Sequence, residues 1–453
     1  MNDNPELNKL YYQQTPQSAN WHKRAKKFFP AEGATHFARV LHPHRPYITG
    51  ADGVKKWDLD GNEYIDYVLG HGALLLGHNH PDVVKAVQEQ VKKGVLYGEN
   101  HPLEVEWAEL IQEMMPTAER VLFFACGNEA NMMAVRLARV VTGRTKILRL
   151  EKHYHGWADE LASPAAPGVV QNNVVVIPHN DLEKLEQELA KEEYAILLTE
   201  AGGAFLGGRT PIDPNYVREI PNLAKKYGTL WLLDEVVTGF RAAPGGWQSV
   251  IDVQPDLTTL GKCIGGGLSI GVLVGRKDIF EPVNPGGNFS RQIMHGGTWN
   301  ANPLTASAGI AAGNLLKTGE PQRKAIEAAD FLRREGNRIL KEMGISGAFY
   351  GSSSIAFLYL GPVDYDPDDN PLSPVKDPAK LTDPERSATY NRLLLHLLQR
   401  GVSNLIGSIF ILSALHTKDD LQKTLQSFSD SLEAMLKEGS LKRTWTQKLS
   451  SSD

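Results

Sequence analysis

Short apolar runs alternate with helix-like stretches between residues 120 and 275. The runs predict buried strands at residues 121–125, 146–150, 174–177, 195–198, 230–233 and 270–274. Between them, residues 129–141 are rich in Met, Ala, Val and Leu, and the leucines of residues 182–190 recur every three or four positions, which predicts helices. Wholly apolar strands that alternate with helices are typical of a mostly parallel sheet covered on both faces. The pattern therefore predicts a large α/β domain.

The two ends of the chain have a different pattern. Residues 1–69 contain Pro- and His-rich turns and a segment, 57–62, that predicts a β-hairpin. After the central region the order is helix, strands, helix, with an Asp- and Pro-rich stretch that predicts an exposed loop. We therefore predict a large domain of residues 70–325 and a smaller α+β domain built from residues 1–69 and 326–453.

Composition and charge narrow the class of protein. A chain of 453 residues with 42% hydrophobic residues is long enough for two or three structural units. The formal net charge of -5 and the absence of a long Lys or Arg run argue against a nucleic-acid partner. No apolar window is long enough to span a bilayer, so no membrane partner is expected. Cys126 and Cys263 are the only cysteines and the first residues are polar, so we expect a reduced, cytoplasmic protein.

In open α/β sheets, ligands bind beyond the carboxyl ends of the strands, so the residues after each apolar run are of interest. The strand 121–125 is followed by Cys126, Gly127 and Asn128, which open a helix. Free N–H groups and the helix dipole can bind an anion there, and the Asn128 amide can add a donor. The alternative is an ordinary helix cap, since Asn is a preferred N-cap residue.

Two further strand ends carry candidate residues. Tyr154 and Trp157 flank His155 after the strand 146–150, and they could form a stacking surface for a flat ring or simply pack in a loop. Asp234 ends the strand 230–233, where a buried carboxylate needs a donor or a cation. A protonated ring nitrogen would satisfy it. A helix cap or a salt bridge to an arginine is the alternative.

Lys262 lies in an apolar and glycine-rich stretch, Leu260-Gly-Lys-Cys-Ile-Gly-Gly-Gly267. Burial lowers the pKa of a lysine and makes its amine nucleophilic, as a Schiff base with a carbonyl requires. The alternative is a solvated surface lysine. Asp256 and Cys263 stand where a phosphate-binding P-loop needs Gly and Ser or Thr, which argues against that motif. The histidine pairs lack the spacing of a metal site, so no metal is expected.

An anion site, a stacking surface, an acid for a ring nitrogen and a Schiff-base lysine together indicate pyridoxal 5′-phosphate (PLP). In this interpretation Asp234 keeps the pyridine nitrogen protonated, and Lys262 binds the cofactor as an aldimine and later moves a proton at the substrate carbon. We include His155 among the predicted cofactor-binding residues.

At this point the sequence resembles the class III (subgroup II) aminotransferases of PLP fold type I, the aspartate-aminotransferase-like fold. The resemblance is carried by five motifs, Gly77-His-Asn-His-Pro81, Tyr154-His-Gly156, Asp234-Glu-Val-Val-Thr-Gly-Phe-Arg241, Leu260-Gly-Lys-Cys-Ile-Gly-Gly-Gly267 and Gly297-Thr-Trp-Asn-Ala-Asn-Pro303. It implies a large domain with a mostly parallel sheet and a smaller α+β domain from both chain ends. It also implies a homodimer with the site at the interface.

The resemblance also assigns roles to single residues. Tyr154 and Val236 would pack on the two faces of the cofactor ring, and Gly127 and Asn128 would hold its phosphate. Thr298 would reach the phosphate of the neighbouring subunit's cofactor, and Glu200 matches a family glutamate near the cofactor. This chain departs from the family in having Asn128 where Ser or Thr is usual, and Ala where Pro usually follows the glutamate.

Within the family, the nearest similarity is to glutamate-1-semialdehyde aminomutases and β-amino-acid aminotransferases. Both have an arginine before the first hairpin that binds a substrate carboxylate, and Arg39 is the matching residue, with Arg45 as the competitor. The aminomutases carry a tryptophan where His71 falls and an acidic residue near Ser408, and both are missing here. We count Arg39 and His71 as substrate-binding candidates.

We therefore expect an aminotransferase that moves an amino group from an amine or a (β-)amino acid to a keto acid or an aldehyde. The alternatives are glutamate-1-semialdehyde 2,1-aminomutase, which is an isomerase, and another PLP-dependent lyase or racemase on the same fold. Other ω-transaminases use a mobile C-terminal arginine for the second substrate, but residues 402–408 contain none. The donor and the acceptor stay open.

Overall fold

The computed structural model describes residues 5–170, 173–286 and 292–443. The chain forms two compact units. The terminal unit consists of Met1–His71, Leu75–Asn79 and Arg323–Asp453, and the central unit consists of Gly72–Leu74 and His80–Gln322. No helix among the described residues is long and apolar enough to cross a membrane.

Apart from 3-10 turns and the four-residue segments Pro30–Gly33 and Leu69–Gly72, the helices of the described residues are α1 (Pro5–Gln14), α2 (Pro16–Ala25), α3 (Pro81–Val91), α4 (Pro102–Met114), α5 (Gly127–Thr142), α6 (Leu182–Leu189), α7 (Pro214–Lys226), α8 (Gly246–Ile251), α9 (Pro303–Leu316), α10 (Glu320–Glu342), α11 (Ser387–Gln399) and α12 (Lys418–Lys437). The strands are β1 (Ile48–Asp52), β2 (Lys55–Asp58), β3 (Glu63–Asp66), β4 (Arg120–Phe124), β5 (Lys146–Leu150), β6 (Val174–Ile177), β7 (Tyr194–Glu200), β8 (Gly203–Ala204), β9 (Thr210–Pro211), β10 (Leu230–Glu235), β11 (Leu257–Gly261), β12 (Gly271–Gly275), β13 (Gly347–Tyr350), β14 (Ile355–Leu360), β15 (Val402–Ser403) and β16 (Ile409–Ile411).

The central unit is built on a seven-stranded sheet of order β4-β12-β11-β10-β7-β5-β6. Strands β6, β5, β7, β10 and β11 run parallel, and β12 runs antiparallel to both of its neighbours. The predicted mostly parallel sheet is therefore confirmed. Strand β11 has no counterpart in the sequence prediction because Thr258 and Thr259 interrupt its apolar pattern, although both are buried.

Side chains of successive residues alternate between the two faces of this sheet, as the strand period requires. Ile196 and Leu198 pack with helix α5 on one face. Leu197 packs on the opposite face with α6 and α7, together with Trp231 and Leu233 of the neighbouring strand. Helices thus cover both faces, which is why these strands are apolar throughout.

The terminal unit is an α+β structure. Strands β1, β2, β3 and β15 form one sheet, and β13, β14 and β16 form another. The predicted hairpin is confirmed, since β2 and β3 pair antiparallel with Trp57 opposite Glu63. Strand β15 joins this sheet by pairing parallel to β3, so segments from both ends of the chain share one sheet.

Candidate active site

Three neighbouring strands of the central unit end at one edge of the sheet. Glu200 is the last residue of β7 and lies opposite Asp234 of β10, and Asp234 lies opposite Thr259 of β11. Lys262 follows directly after β11. Parallel strands have their carboxyl ends at the same edge, so the sheet order brings two carboxylates and one amine together.

Asp234 is held as a charged, buried carboxylate. Its Oδ2 atom accepts hydrogen bonds from His155 Nδ1 at 2.9 Å and Asn131 Nδ2 at 2.8 Å, and Oδ1 accepts one from the Val236 amide at 3.1 Å. Burial alone would raise the pKa of Asp234, but the bonds from His155, Val236 and Asn131 outweigh it and lower this pKa. The carboxylate is therefore suited to pair with a protonated ring nitrogen.

Lys262 is a buried lysine whose amine has a lowered pKa. Burial lowers the pKa of its amine, against the opposing charges of Asp234 and Glu200. In the described part of the chain, no carboxylate forms an ion pair with this amine. The backbone of Lys262 has φ 48°, a left-handed value that is unfavourable for a residue with a side chain, and such strain is concentrated at functional sites.

Glu200 connects the site to two neighbouring loops. Its Oε2 atom accepts hydrogen bonds from the amides of Tyr154 at 2.6 Å and Phe205 at 2.9 Å. Burial raises the pKa of Glu200 to about 8, although these two bonds oppose the shift. Its own amide donates to His153 Nδ1 at 2.7 Å. Burial therefore makes Glu200 easier to protonate than an exposed glutamate.

The predicted anion site lies at the start of helix α5. An added Cβ at Gly127 would lie 2.6 Å from Val236 Cγ2, so only glycine fits at this position. The Oδ1 atom of Asn128 accepts bonds from the amides of Trp157 at 2.9 Å and Ala158 at 3.4 Å, and its Nδ2 atom is 3.4 Å from Met132 Sδ. The Asn128 side chain therefore ties the helix start to the loop after β5.

That loop brings Tyr154 and His155 to the same edge, and Val236 follows strand β10 there. The Tyr154 side chain is exposed, while His155 is buried against Asp234. Because Asp234 can only accept, His155 Nδ1 carries the proton, and burial lowers the pKa of His155. Val236 lies between Gly127 and Gly261, whose added Cβ would be 3.2 Å from Val236 Cγ1.

Thr298 lies on an exposed turn of the central unit and helps to line two cavities, of about 370 Å³ and 580 Å³. The smaller cavity also contains Glu129 and Met132 of helix α5. The turn is followed by helix α9, which Asn302 caps by accepting a bond from the Thr305 amide at 3.0 Å.

The two substrate-binding candidates belong to the terminal unit. Arg39 is exposed, and its Nη1 donates to Thr35 Oγ1 at 3.2 Å. The competitor Arg45 is partly buried, and its guanidinium donates to the carbonyls of Ala38 and Asn404. His71 lies in a left-handed turn with φ 58°. Arg45 is therefore engaged within the fold, whereas Arg39 presents its guanidinium to solvent.

The sequence prediction missed two residues of the site. Asn131 is buried in α5, donates to both Asp234 and the His155 carbonyl, and was hidden inside the apolar stretch that predicted the helix. A single asparagine at a buried helix position would have been the signal, because a buried amide needs partners. His153 was overlooked because its partner, the Glu200 amide, is far away in the sequence.

Comparison with known proteins decides the family. The family profile "Aminotransferase class-III" matches residues 37–347. A glutamate-1-semialdehyde 2,1-aminomutase of Methanothrix thermoacetophila is 33% identical over 430 residues, which cover 91% of this chain and 95% of the relative. The chain belongs to the class III aminotransferase family.

Solved structures agree with the family. An ω-transaminase from Sphaerobacter thermophilus superposes with a TM-score of 0.84 at 29% identity, covering 92% of this chain and 97% of that one. A transaminase with PLP bound superposes with a TM-score of 0.83 at 27% identity, covering 94% of this chain and 99% of that one. The resemblance to class III aminotransferases of PLP fold type I is thereby confirmed.

The cofactor of this member of the class III aminotransferase family is PLP, as predicted. The residues at the sheet edge fit it, since a neutral amine at Lys262 can bind an aldehyde and the ionised Asp234 can pair with a pyridinium. When bound, PLP acts as an electron sink for bond breaking at the carbon that carries the substrate amine.

Proposed function

We propose that this protein is an aminotransferase that moves an amino group from an amine or a (β-)amino acid to a keto acid or an aldehyde. The observation that carries the proposal is the arrangement of Asp234 and Lys262 at the ends of neighbouring strands. The first is a buried carboxylate kept ionised by three donors, and the second is an amine whose pKa burial lowers.

The cofactor would be held by residues around this pair. Lys262 would bind it covalently and then move the proton at the substrate carbon, and Asp234 would keep its ring nitrogen charged. His155 and Asn131 would keep Asp234 ionised and oriented. Tyr154 and Val236 would pack on the ring faces.

The remaining roles concern the phosphate and the substrate. Gly127 and the free amides of the α5 start would bind the phosphate, helped by the positive end of the helix dipole. Asn128 would act there mainly by fixing the Tyr154 loop against the helix, because its carbonyl oxygen already accepts bonds from that loop. Glu200 would shape the site from the end of β7.

A homodimer would complete the site. Thr298 lies on an exposed turn beside a cavity that reaches the start of α5, and Trp299 and Met294 next to it are exposed apolar residues. An exposed apolar patch of this kind favours a protein–protein contact. In the proposed dimer, Thr298 reaches the phosphate of the neighbouring subunit's cofactor.

The same site would serve a glutamate-1-semialdehyde 2,1-aminomutase, which is the second candidate. Several curated relatives bear that name, and the relative described above is one of them. Two departures argue against the aminomutase, since His71 falls where the aminomutases carry a tryptophan and the acidic residue that they carry near Ser408 is missing. Ser408 is also fully buried, with its carbonyl accepting a bond from Leu358. These features favour transfer between two substrates.

A panel of donors and acceptors tests the proposal. The donors are β-amino acids, aryl-alkyl amines and glutamate, and the acceptors are keto acids and aldehydes. We expect a donor alone to give only one equivalent of keto product per site, and turnover to begin when an acceptor is added. Steady turnover of glutamate 1-semialdehyde without a second substrate would support the aminomutase. Elimination, decarboxylation or racemisation products would support a lyase or a racemase.

The covalent role of Lys262 has its own test. Lys262→Ala should lose the visible absorption of lysine-bound cofactor and fall to no more than a single turnover. Lys277→Ala, at a lysine on the surface of the same unit, serves as the control and should keep both. Multiple turnover by Lys262→Ala would contradict the proposal.

Arg39 is tested by comparing two donors that differ in one carboxylate. Arg39→Ala should raise KM about tenfold for a β-amino acid and leave KM unchanged for the matching amine, because only the first has a carboxylate to bind. Equal effects on both donors would argue against a carboxylate site at Arg39.

A further inference from the structure

One buried side chain ties the turn that carries Thr298 to a distant helix. His101, directly before helix α4, lies with its Nε2 atom 2.8 Å from the carbonyl oxygen of Ala301. His101 and Ala301 are buried, whereas Thr298 and Trp299 are exposed. We propose that His101 is a positioning residue that holds this turn so that the Thr298 hydroxyl faces the cofactor phosphate of the neighbouring subunit.

The two ring nitrogens of His101 have different tasks. The Glu104 amide donates to His101 Nδ1 at 3.3 Å, and Glu104 Oε1 accepts from the His101 amide at 3.2 Å, which together form a capping box. Nδ1 therefore acts as an acceptor and carries no proton. The proton of the neutral ring lies on Nε2, which donates to the Ala301 carbonyl.

The turn needs such an anchor. The Asn300 amide donates to the Gly297 carbonyl at 3.1 Å, which closes the turn, and the next residue, Ala301, has φ 47°. A left-handed backbone is unfavourable for a residue with a side chain and persists only where its surroundings hold it. The Trp299 carbonyl accepts bonds from the Asn302 amide at 3.3 Å and from Asn302 Nδ2 at 2.9 Å, which hold one side of the turn to the start of α9. The bond from His101 to Ala301 adds a second hold, from the start of α4.

Helix α4, which begins directly after His101, is packed tightly against the rest of the central unit. Trp107 of α4 is fully buried and stacks on Phe123 of β4, with ring centroids 4.9 Å apart. Gly309 allows α9 to approach the Trp107 ring closely, because an added Cβ at this position would collide with the indole. The start of α4 is thus fixed against the sheet and against α9.

This inference rests on the proposed role of Thr298. Two reciprocal substitutions separate the tasks of the His101 ring. In His101→Asn the short amide keeps a helix cap but cannot reach Ala301. In His101→Gln the longer amide can donate to the Ala301 carbonyl, but the acceptor for the Glu104 amide is lost.

The readout is the affinity of the cofactor-free protein for PLP and for pyridoxal, which lacks the phosphate. We expect His101→Asn to weaken PLP binding about tenfold and to leave pyridoxal binding unchanged, as Thr298→Ala should also do. His101→Gln should bind PLP nearly as wild type does, with a lowered melting temperature. The double variant His101→Asn/Thr298→Ala should bind PLP no more weakly than Thr298→Ala.

Asp181→Ala is the matched control, because Asp181 caps α6 in the same unit by accepting from the Lys184 amide at 2.9 Å. It should lower stability without changing PLP affinity. Unchanged PLP binding in His101→Asn, or equal losses for PLP and pyridoxal, would overturn the inference while leaving the proposed function intact. Unchanged PLP binding in Thr298→Ala would overturn both the inference and the proposed role of Thr298. Continued turnover by Lys262→Ala bears only on the proposed function.

Discussion

At the scale of single residues, the site depends on burial that pushes neighbouring groups toward opposite charge states. Asp234 stays ionised because three donors converge on it, whereas Glu200, with two backbone donors, has its pKa raised to about 8. Burial also favours the neutral amine of Lys262. Divergent pKa values among neighbouring titratable groups are typical of catalytic sites.

The raised pKa of Glu200 predicts a pH-dependent stability. Between its ordinary value of 4.5 and about 8, the folded protein binds a proton that the unfolded chain releases, so the free energy of unfolding should fall as pH rises through this range. Glu200→Gln should remove this contribution, with a slope of at most about 1.4 kcal/mol per pH unit. Urea unfolding of the cofactor-free proteins at pH values of about 5 and about 8 measures it. Parallel pH dependences of the two proteins would contradict it.

At the scale of elements, close contacts through glycine bring strand ends and helix starts together. Gly127 lets α5 begin against Val236, and Gly261 lets β11 end beside the same side chain. Helix α5 therefore begins directly above the carboxyl end of the sheet.

Gly127→Ala should push the start of α5 away from the sheet, because the new Cβ would lie 2.6 Å from Val236 Cγ2. We expect about a tenfold loss of PLP affinity, measured by titration of the cofactor-free protein. Val236→Ala alone serves as the control for loss of the valine contact. The double variant Gly127→Ala/Val236→Ala should lose less PLP-binding free energy than the two single variants lose together, because the smaller side chain at position 236 restores the space. Strict additivity would argue against the steric explanation.

Two ion pairs on the hairpin β2–β3 allow a matched test of burial in the terminal unit. Lys56 and Asp66 form a pair of 2.7 Å with little solvent exposure, while Lys55 and Glu63 form an exposed pair of 2.9 Å. Asp66→Asn should lower the free energy of unfolding by about 3–5 kcal/mol, because it leaves Lys56 buried without a countercharge and removes the charge that faces His78 Nε2 at 2.9 Å. Glu63→Gln should cost less than about 1 kcal/mol. Similar losses in the two variants would refute the role of burial.

At the scale of the whole molecule, the proposed PLP-binding residues belong to the central unit, and the substrate candidates Arg39 and His71 belong to the terminal unit. The central unit also presents the turn with Thr298. The proposed homodimer would use this turn, so assembly and cofactor binding should depend on each other.

Trp299→Glu should therefore shift the protein from dimer to monomer, as measured by sedimentation velocity. The same variant should bind PLP more weakly. The reason is that an ionised side chain at a desolvated contact loses its hydration. Val250→Glu, at an equally exposed apolar residue in α8 of the same unit, is the control and should do neither. A dimer that persists in Trp299→Glu with full PLP affinity would contradict the proposed interface.

The sequence by itself determined the fold class, most strands of the sheet and the cofactor, and it predicted the pair Asp234–Lys262. Apolar runs and the residues that directly follow them are local patterns, and such patterns can be recognised in the sequence without knowledge of the fold. The domain bounds and the individual site roles stay predictions, and the experiments above test the roles.

Only the tertiary structure decided which groups meet. Two buried threonines concealed strand β11 in the sequence. Asp234 accepts hydrogen bonds from His155 and Asn131, which lie in a loop and a helix far away in the sequence. The bond from His101 to Ala301 likewise joins residues 200 positions apart. Hydrogen bonds of this kind depend on how the strands and helices are packed, and no periodicity along the chain encodes that packing.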